Sequence, residues 1–224
     1  MIYDTNGVWC GYFNENFYIG KPIDLCYEDD SDIMIIIKGT YEFEITDMEE
    51  GCVDEFGSYG DGKGEFLDIS SVTCQDGLIF ITDAESSRVS VFDADGDYVR
   101  HFGARYLEEP NGITIGGPNN HVYVSDNDRD DVCVFSWQGQ FLRSFGENID
   151  AGASGITVDS EGFVSVCRPK IDIVQVYRPD GEFYCSFGKP GSRPGSLNNP
   201  QGMELLPDGR LVVCDCGNNR VQIF

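Results

Sequence analysis

Short apolar runs separated by turn signals dominate the chain. The runs 71–74 and 78–82 flank Gln75-Asp76-Gly77, and the runs 202–205 and 210–213 flank Pro207-Asp208-Gly209. An Asp-Gly pair between two such runs is typical of a β-hairpin, because Gly accepts positive φ. The runs are rich in β-branched and aromatic residues, and no stretch with helical periodicity interrupts them. The pattern therefore predicts an all-β protein made of hairpins.

A Phe-Gly pair recurs at a nearly constant interval and divides the hairpins into repeats. It occurs at Phe56-Gly57, Phe102-Gly103, Phe145-Gly146 and Phe187-Gly188, and Phe13-Asn14 fills the same position near the start. An aromatic residue or its degenerate equivalent precedes each pair at a fixed distance, at Tyr3, Thr46, Phe92, Phe135 and Tyr177. Each repeat thus holds four short strands, which we name a, b, c and d. Such a unit, recurring about every 40–50 residues, predicts a β-propeller of four-stranded antiparallel blades.

The positions of the two chain ends within the repeat bear on the number of blades. Tyr3 and Phe224 occupy the same position, five repeats apart. We expect one propeller domain over 1–224, with repeats at 22–57, 67–103, 109–146, 152–188 and 199–224, the last completed by 1–13. In the five-bladed interpretation, strand d at 8–13 lies beside the C-terminal strand and closes the ring, which removes two open edges. The alternative is a six-bladed ring with one blade missing.

The charge and the cysteine content limit which partners and which cellular compartment we expect for the protein. The chain has 39 acidic and 15 basic residues, a net charge of −24, and so acidic a protein repels phosphate backbones. Its apolar runs are far shorter than a membrane span, and its first residues lack a basic segment followed by an apolar one. The nine cysteines are scattered and fit reduced thiols, so we expect a cytoplasmic protein without a membrane partner.

The last repeat carries a recognisable motif. It reads Pro200-Gln201-Gly202, Asp208-Gly209, Asp215, Asn218-Asn219-Arg220-Val221 and Phe224. This resembles the NHL-repeat family. The second repeat keeps Asp83 and Arg88 at the matching positions, whereas the third has Asp131 in the Arg position. In the fourth repeat, Arg168 replaces the Asp and Ile173 replaces the Arg.

The resemblance implies a propeller that acts as a binding module. Such propellers often form the C-terminal part of RING/B-box ubiquitin ligases, where they select the substrate. These 224 residues contain no RING or B-box cysteine pattern, so we expect neither ligase nor other enzymatic activity from this chain. The recurring Asp83, Asp126 and Asp215 stand where strand b turns into strand c. There a carboxylate can accept N–H groups of the turn or pair with the Arg five residues on, so we expect a structural latch.

The sequence contains only weak signals for a metal site or a catalytic site. Cys214 and Cys216 lack a second cysteine pair or a histidine at matching repeat positions, and we interpret them as incidental to the Asp-to-Asn-Arg turn. The acidic runs 126–131 and 93–97 fail the calcium-loop pattern and are predicted to be turn acids. Some lactonase-type propellers bind Ca²⁺ in the central channel, and Glu204, Asn111 and Asp24 are the residues here that compare with that set. We predict no cofactor, and a metal-dependent lactonase-like or lyase-like enzyme is the least favoured hypothesis.

The basic residues cluster on one predicted face. The b–c and d–a connections emerge together in a propeller, and ten of the fifteen Lys and Arg residues map to them, beside many acids. A face of mixed charge suits protein recognition. Single-stranded RNA, which some NHL domains bind on this face, is the alternative partner, although the net charge opposes it. The candidate binding residues are Tyr59, Arg105, Tyr106, Asn127, Arg129, Arg168, Lys170, Arg193 and Asn218.

Overall fold

The structure is a computed structural model that describes residues 2–3, 9–11, 22–28, 33–47, 51–146 and 150–224. Two predicted features fall largely outside these residues. The turn predicted at 4–7 is one, and the other is the predicted strand 8–13, of which Trp9–Gly11 is described.

Four sheets of four antiparallel strands form complete blades. Blade 1 contains β3 (Asp24–Glu28), β4 (Ile33–Ile37), β5 (Phe43–Asp47) and β6 (Gly51–Phe56). Blade 2 contains β7 (Ile69–Gln75), β8 (Leu78–Asp83), β9 (Arg88–Asp93) and β10 (Tyr98–Phe102). Blade 3 contains β11 (Pro110–Gly116), β12 (His121–Asp126), β13 (Asp131–Phe135) and β14 (Phe141–Phe145). Blade 4 contains β15 (Ile156–Val158), β16 (Val164–Arg168), β17 (Ile173–Tyr177) and β18 (Phe183–Phe187).

The fifth blade contains β19 (Pro200–Leu205), β20 (Leu211–Asp215) and β21 (Arg220–Ile223), with a short 3-10 turn at Cys216–Asn218 before β21. Strand a of each blade contacts strand a of the next, from β3 through β7, β11 and β15 to β19. These five inner strands enclose a central channel of about 470 Å³. The predicted all-β, five-bladed propeller is therefore confirmed.

The N-terminal strands pair differently from the expectation. β1 (Ile2–Tyr3) and β2 (Trp9–Gly11) form a separate two-stranded sheet, and the sheet of blade 5 has three strands within the described residues. Within the described residues Trp9–Gly11 is therefore paired with Ile2–Tyr3, and completion of blade 5 by 8–13 stays a prediction. A short hairpin loop costs less chain entropy to close than a loop that spans the whole propeller, which favours the local pairing.

Apolar side chains pack between neighbouring blades. Between blades 1 and 2, Phe43 lies 5.0 Å from Phe92 and 6.2 Å from Phe66, measured between ring centroids. Equivalent clusters fill the other three described junctions. Because each buried aromatic or branched side chain contributes about 1.5–3 kcal/mol, these junctions hold the blades together and set their order.

Hydroxyl groups add polar links across the same junctions. The Thr82 hydroxyl of blade 2 donates to the carbonyl of Asn111 in blade 3 at 2.9 Å, and the Ser125 hydroxyl of blade 3 donates to the carbonyl of Ser154. The Gly155 N–H donates to the Gln201 carbonyl at 2.7 Å. A Cβ at Gly155 would lie 2.1 Å from that carbonyl oxygen, so the inner strands approach too closely for a larger residue.

Candidate functional site

The b–c and d–a connections lie together on one side of the propeller, which we call the loop face. Its described parts are 38–42, 57–68, 84–87, 103–109, 127–130, 150–155, 169–172, 188–199 and 216–219. The a–b and c–d turns form the opposite side, which we call the turn face. On the turn face the Asp93 carboxylate accepts the N–H groups of Asp95 and Asp97, and Gly96 has a φ of 80°. The acids at 93–97 are therefore turn acids, as predicted.

A buried carboxylate at the end of strand b fixes each of three loop pairs. Asp83 accepts the N–H groups of Leu67, Asp68 and Ser86. Asp126 accepts those of Glu108, Glu109 and Arg129 in the same way. Each carboxylate thus ties a d–a connection to the following b–c turn, and the predicted structural latch is confirmed.

The third latch is Asp215, whose pKa is lowered by its hydrogen bonds. Burial works to raise the pKa of Asp215, but hydrogen bonds from the Asn218 side chain and the Asn198 N–H outweigh it, together with Arg220. The pKa of Asp215 is therefore lowered. The Arg220 Nε donates to the carboxylate at 2.7 Å.

An arginine in strand c holds the long d–a connections by their main chain. Arg88 donates to the carbonyl oxygens of Asp61, Gly62 and Glu65. Arg220 does the same in 188–199, donating to the carbonyl oxygens of Ser192, Arg193 and Ser196 at 2.9, 2.9 and 2.8 Å. Each loop also contains the same isolated bridge, Tyr59 to Phe66 and Pro190 to Leu197. We call 57–66 and 188–197 the twin loops, because the two segments, which share glycines at their first, fourth and eighth positions, adopt one conformation around one arginine.

The structure buries Arg168, which the sequence places on the accessible loop face. Arg168 is one of the predicted binding residues, but its side chain is fully buried between blades 3 and 4. Its guanidinium donates to the carbonyls of Asp130 and Gly152 at 3.0 and 3.1 Å, to the Gln175 amide oxygen and to the Tyr177 hydroxyl. Arg168 thus supports the described part of the d–a connection between these blades, 150–155, from strand b.

Four other candidates are engaged within the loop face. Arg129 pairs with Glu108 at 3.4 Å and Asp131 at 3.3 Å, and Lys170 pairs with Asp150 at 2.8 Å. The Asn127 amide donates to the Glu109 carboxylate at 2.7 Å, and the Asn218 amide donates to the Gly191 carbonyl and Asp215. These side chains hold loops in place, which leaves them less available than the sequence predicts.

The two candidate tyrosines differ in accessibility. Tyr59 is 70% exposed, and its ring meets the edge of Tyr41 at 6.0 Å between centroids. Tyr41 belongs to the b–c turn of blade 1, where the repeat is degenerate, so the motif gave no reason to select it. Tyr106 stacks on Phe141 with centroids 4.1 Å apart and an angle of 4°. One face of the Tyr106 ring is therefore already covered by blade 3.

Four further cations of the loop face have no polar partner among the described residues. Within the described part of the chain, the Lys and Arg side chains that lack an ion pair, a hydrogen bond and a ring contact are Lys63, Arg105, Lys189 and Arg193. All four lie on the loop face, and two of them, Arg105 and Arg193, are among the predicted binding residues. Arg178, on the turn face, lies instead 4.7 Å from the Tyr184 ring centroid.

Two of the residues compared above with a calcium set, Asp24 and Glu204, line the central channel, and Asn111 lines an adjoining cavity with Asp24. Burial raises the pKa of Asp24, whose carboxylate accepts from the Ser71 hydroxyl and the Val72 N–H. Burial also raises the pKa of Glu204, with a smaller contribution from the charge of Asp24. Among the described residues, no group of three or more His, Cys, Asp and Glu side chains is arranged to hold a metal ion. No helix there is long and apolar enough to cross a membrane.

Comparison with known proteins agrees with the repeat motif. A family model described as NHL repeat matches residues 197–224, so the predicted resemblance is confirmed at the last repeat. The B-box type zinc finger protein ncl-1 of Caenorhabditis elegans is 33% identical over 67 residues. That stretch is 30% of this chain and 8% of the relative, so the chain spans a small part of that protein.

Solved structures share the fold at low sequence identity. The virginiamycin B lyase of Staphylococcus aureus superposes with a TM-score of 0.71 at 15% identity, over 92% of this chain and 70% of that one. A streptogramin B lyase gives 0.73 at 13% identity, over 95% and 71%. The hydrazine synthase of Kuenenia stuttgartiensis gives 0.68 at 17%, over 91% and 58%. At such identities the likeness shows the propeller fold alone.

Proposed function

We propose that this chain, a β-propeller that contains an NHL repeat, is a binding module that recognises a protein partner through its loop face. The observation that carries the proposal is the distribution of unpaired cations. Lys63, Arg105, Lys189 and Arg193 have no polar partner in the described residues, and all lie on the face that also carries the exposed Tyr59. Exposed Arg and Tyr side chains are enriched where proteins bind one another, and acidic groups of a partner would satisfy these cations.

The residues that anchor the loops also support a binding role. Arg88, Arg220 and Asp215 hold the main chain of the twin loops and of the following turns. Their side chains are used for positioning, so the loop tips are preorganised before a partner arrives. Preorganisation lowers the entropy cost of association and favours tight recognition.

A more specific role follows from the similarity to a B-box type zinc finger protein. We propose that the propeller selects the substrate of a RING-type ubiquitin ligase, with the ligase activity located in another domain. A binding role for this chain is favoured over an enzymatic one, because the features that stand out are recognition features of the loop face.

Site-specific photocrosslinking tests the binding proposal. Benzoylphenylalanine in place of Tyr59 is expected to capture a protein, whereas the same group in place of Tyr184, which is also exposed but lies on strand d of blade 4, is not. The double variant Lys63→Glu and Arg193→Glu is expected to abolish the Tyr59 adduct. Arg178→Glu with Arg210→Glu makes the same charge change on the turn face and is expected to retain it.

Two outcomes would overturn the proposal. One is an adduct at Tyr59 that persists in the Lys63→Glu, Arg193→Glu variant. The other is retention of single-stranded RNA oligomers in about 50 mM salt with affinity that falls steeply as salt rises, since this identifies a phosphate backbone as the ligand. If a partner is captured, its ubiquitination in the presence of the complete ligase tests the more specific role.

A further inference from the structure

Two thiols meet at the inner edge of the junction between blades 1 and 2. Cys26 lies on β3 and Cys74 on β7, and both half-buried side chains line the central channel. A hydrogen bond joins the two thiols, and both pack against the apolar cluster between the blades. The two sulfur atoms are therefore close together, and the channel gives small molecules access to them.

The inner strands hold this pair in register. The Asp24 carboxylate of β3 accepts the Val72 N–H of β7 at 3.0 Å and also accepts the Ser71 hydroxyl. Both strands continue along the channel from this contact, and two residues further on they reach Cys26 and Cys74. The thiols thus stand on paired strands rather than on loops, which keeps them opposite each other.

The other described junctions have different residues at these two positions. The inner strand of one blade carries a threonine and that of the next blade an aliphatic residue, as Thr73 and Ile115, Thr114 and Val158, and Thr157 and Leu205. These pairs fill the junctions without sulfur, so packing alone requires a cysteine at neither position. Two cysteines together add the capacity for a covalent bond between the blades.

The surroundings of Cys26 disfavour its charged form. Burial raises the pKa of the Cys26 thiol well above its usual range, and the hydrogen bond with Cys74 and the charges of Asp24 and Glu28 act in the same direction. A disulfide carries no charge, so its formation removes a thiol that this site does not readily ionise. Because the reduced form is not stabilised as a thiolate, a disulfide here resists reduction.

We propose that Cys26 and Cys74 form a reversible disulfide that links blades 1 and 2, with a low-molecular-weight disulfide such as oxidised glutathione as the oxidant. The Cys74 thiolate attacks one sulfur of the oxidant and releases one thiol, which leaves a mixed disulfide on Cys74. The Cys26 thiol then loses its proton and attacks the Cys74 sulfur, which releases the second thiol. The oxidant is thereby reduced to two thiols while the two cysteines are oxidised to one disulfide.

The link has a consequence for the whole propeller. It closes a loop that contains 27–73, which holds the rest of blade 1 and most of the first strand of blade 2. A crosslink around a loop of this length restricts the unfolded chain and so stabilises the native state. The thermal midpoint of the protein is therefore expected to follow the ratio of oxidised to reduced glutathione, and to be about 5 °C or more higher in the linked form.

Oxidation at fixed ratios of oxidised to reduced glutathione tests the proposal. Peptide mapping of the nonreduced protein by mass spectrometry is expected to show Cys26 linked to Cys74. Dithiothreitol is expected to reverse the link and the rise in the midpoint together. Cys185→Ser with Cys216→Ser, which removes two exposed thiols elsewhere, is expected to retain both effects.

Two single variants separate the link from other effects of oxidation. Cys26→Thr and Cys74→Val introduce the residue types found at the other junctions, and each is expected to fold and to lose the rise in the midpoint. Cys26→Thr should keep a glutathione adduct on Cys74, whereas Cys74→Val should leave Cys26 mainly unmodified. Adducts on both cysteines of the parent protein without a link between them would overturn the proposal. A link of either cysteine to a different one, or an equal rise in Cys26→Thr, would also overturn it.

Discussion

Replacement of Arg88 by Met is expected to loosen the first twin loop and to lower stability. Arg88 is buried, and its guanidinium satisfies three carbonyls, at 2.9, 3.2 and 2.9 Å, and lies 3.7 Å from the buried Asp83 carboxylate. Loss of one partner of a buried pair costs about 3–5 kcal/mol. We take about 3 kcal/mol, because the freed loop carbonyls can bind water. At about 2–4 °C per kcal/mol for a domain of this size, the midpoint should fall by about 6–12 °C.

Thermal unfolding followed by circular dichroism measures the shift, and hydrogen exchange of residues 57–66 locates it. Arg88→Lys keeps the charge but lacks the planar fork, so an intermediate shift is expected. Arg105→Met removes an exposed guanidinium from the neighbouring loop and serves as the control, with a change below about 2 °C. An Arg88→Met midpoint as close to the parent as that of Arg105→Met would refute the anchoring role of Arg88.

Three further predictions concern other parts of the molecule. Gly155→Ala should unfold or strongly destabilise the protein, because the new Cβ would lie 2.1 Å from a carbonyl oxygen. Gly39→Ala serves as the control, because a Cβ there would have nothing within 4 Å. The expression levels and thermal midpoints of the two variants are compared. Because burial raises the pKa of Asp24, its charged form costs stability above that pKa. Asp24→Asn should thus raise the midpoint at pH 7, and the gain should vanish below about pH 4, where the wild-type carboxyl is protonated in both the folded and the unfolded state. Cys185 is exposed, whereas burial raises the pKa of Cys133 to about 12, so iodoacetamide at pH 8 should label Cys185 before Cys133. Mass spectrometry measures the two labelling rates, and equal rates or faster labelling of Cys133 would contradict this prediction.

The fold is predictable from the sequence because the same pattern of strands and turns occurs in each of the five units. Asp83, Asp126 and Asp215 stand at one repeat position, and a residue type that recurs in that way indicates a shared structural role, which the three latches confirm. The same logic fails where one repeat departs from the others. Arg168 stands in the Asp position, and sequence offers no measure of whether such a replacement points outward or inward.

Contacts between distant segments explain the other differences. Tyr106 is covered on one side because Phe141, on another strand, stacks against it at 4.1 Å. Trp9–Gly11 pairs with β1, although Tyr3 of β1 and Phe224, next to β21, have equivalent positions in the repeat. Periodicity identifies the kind of strand, but it assigns no preference between two equivalent partners.

The twin loops separate the atoms that fix a loop from the atoms that a partner can meet. Arg88 and Arg220 bind carbonyl oxygens, which every amino acid supplies, so these contacts do not depend on the exposed side chains of 57–66 or 188–197. Tyr59 and Pro190 occupy the same place in the two loops without altering the bridge to the following apolar residue. A lineage or an engineer can therefore rewrite the exposed positions one at a time and change binding specificity while the supporting framework stays intact.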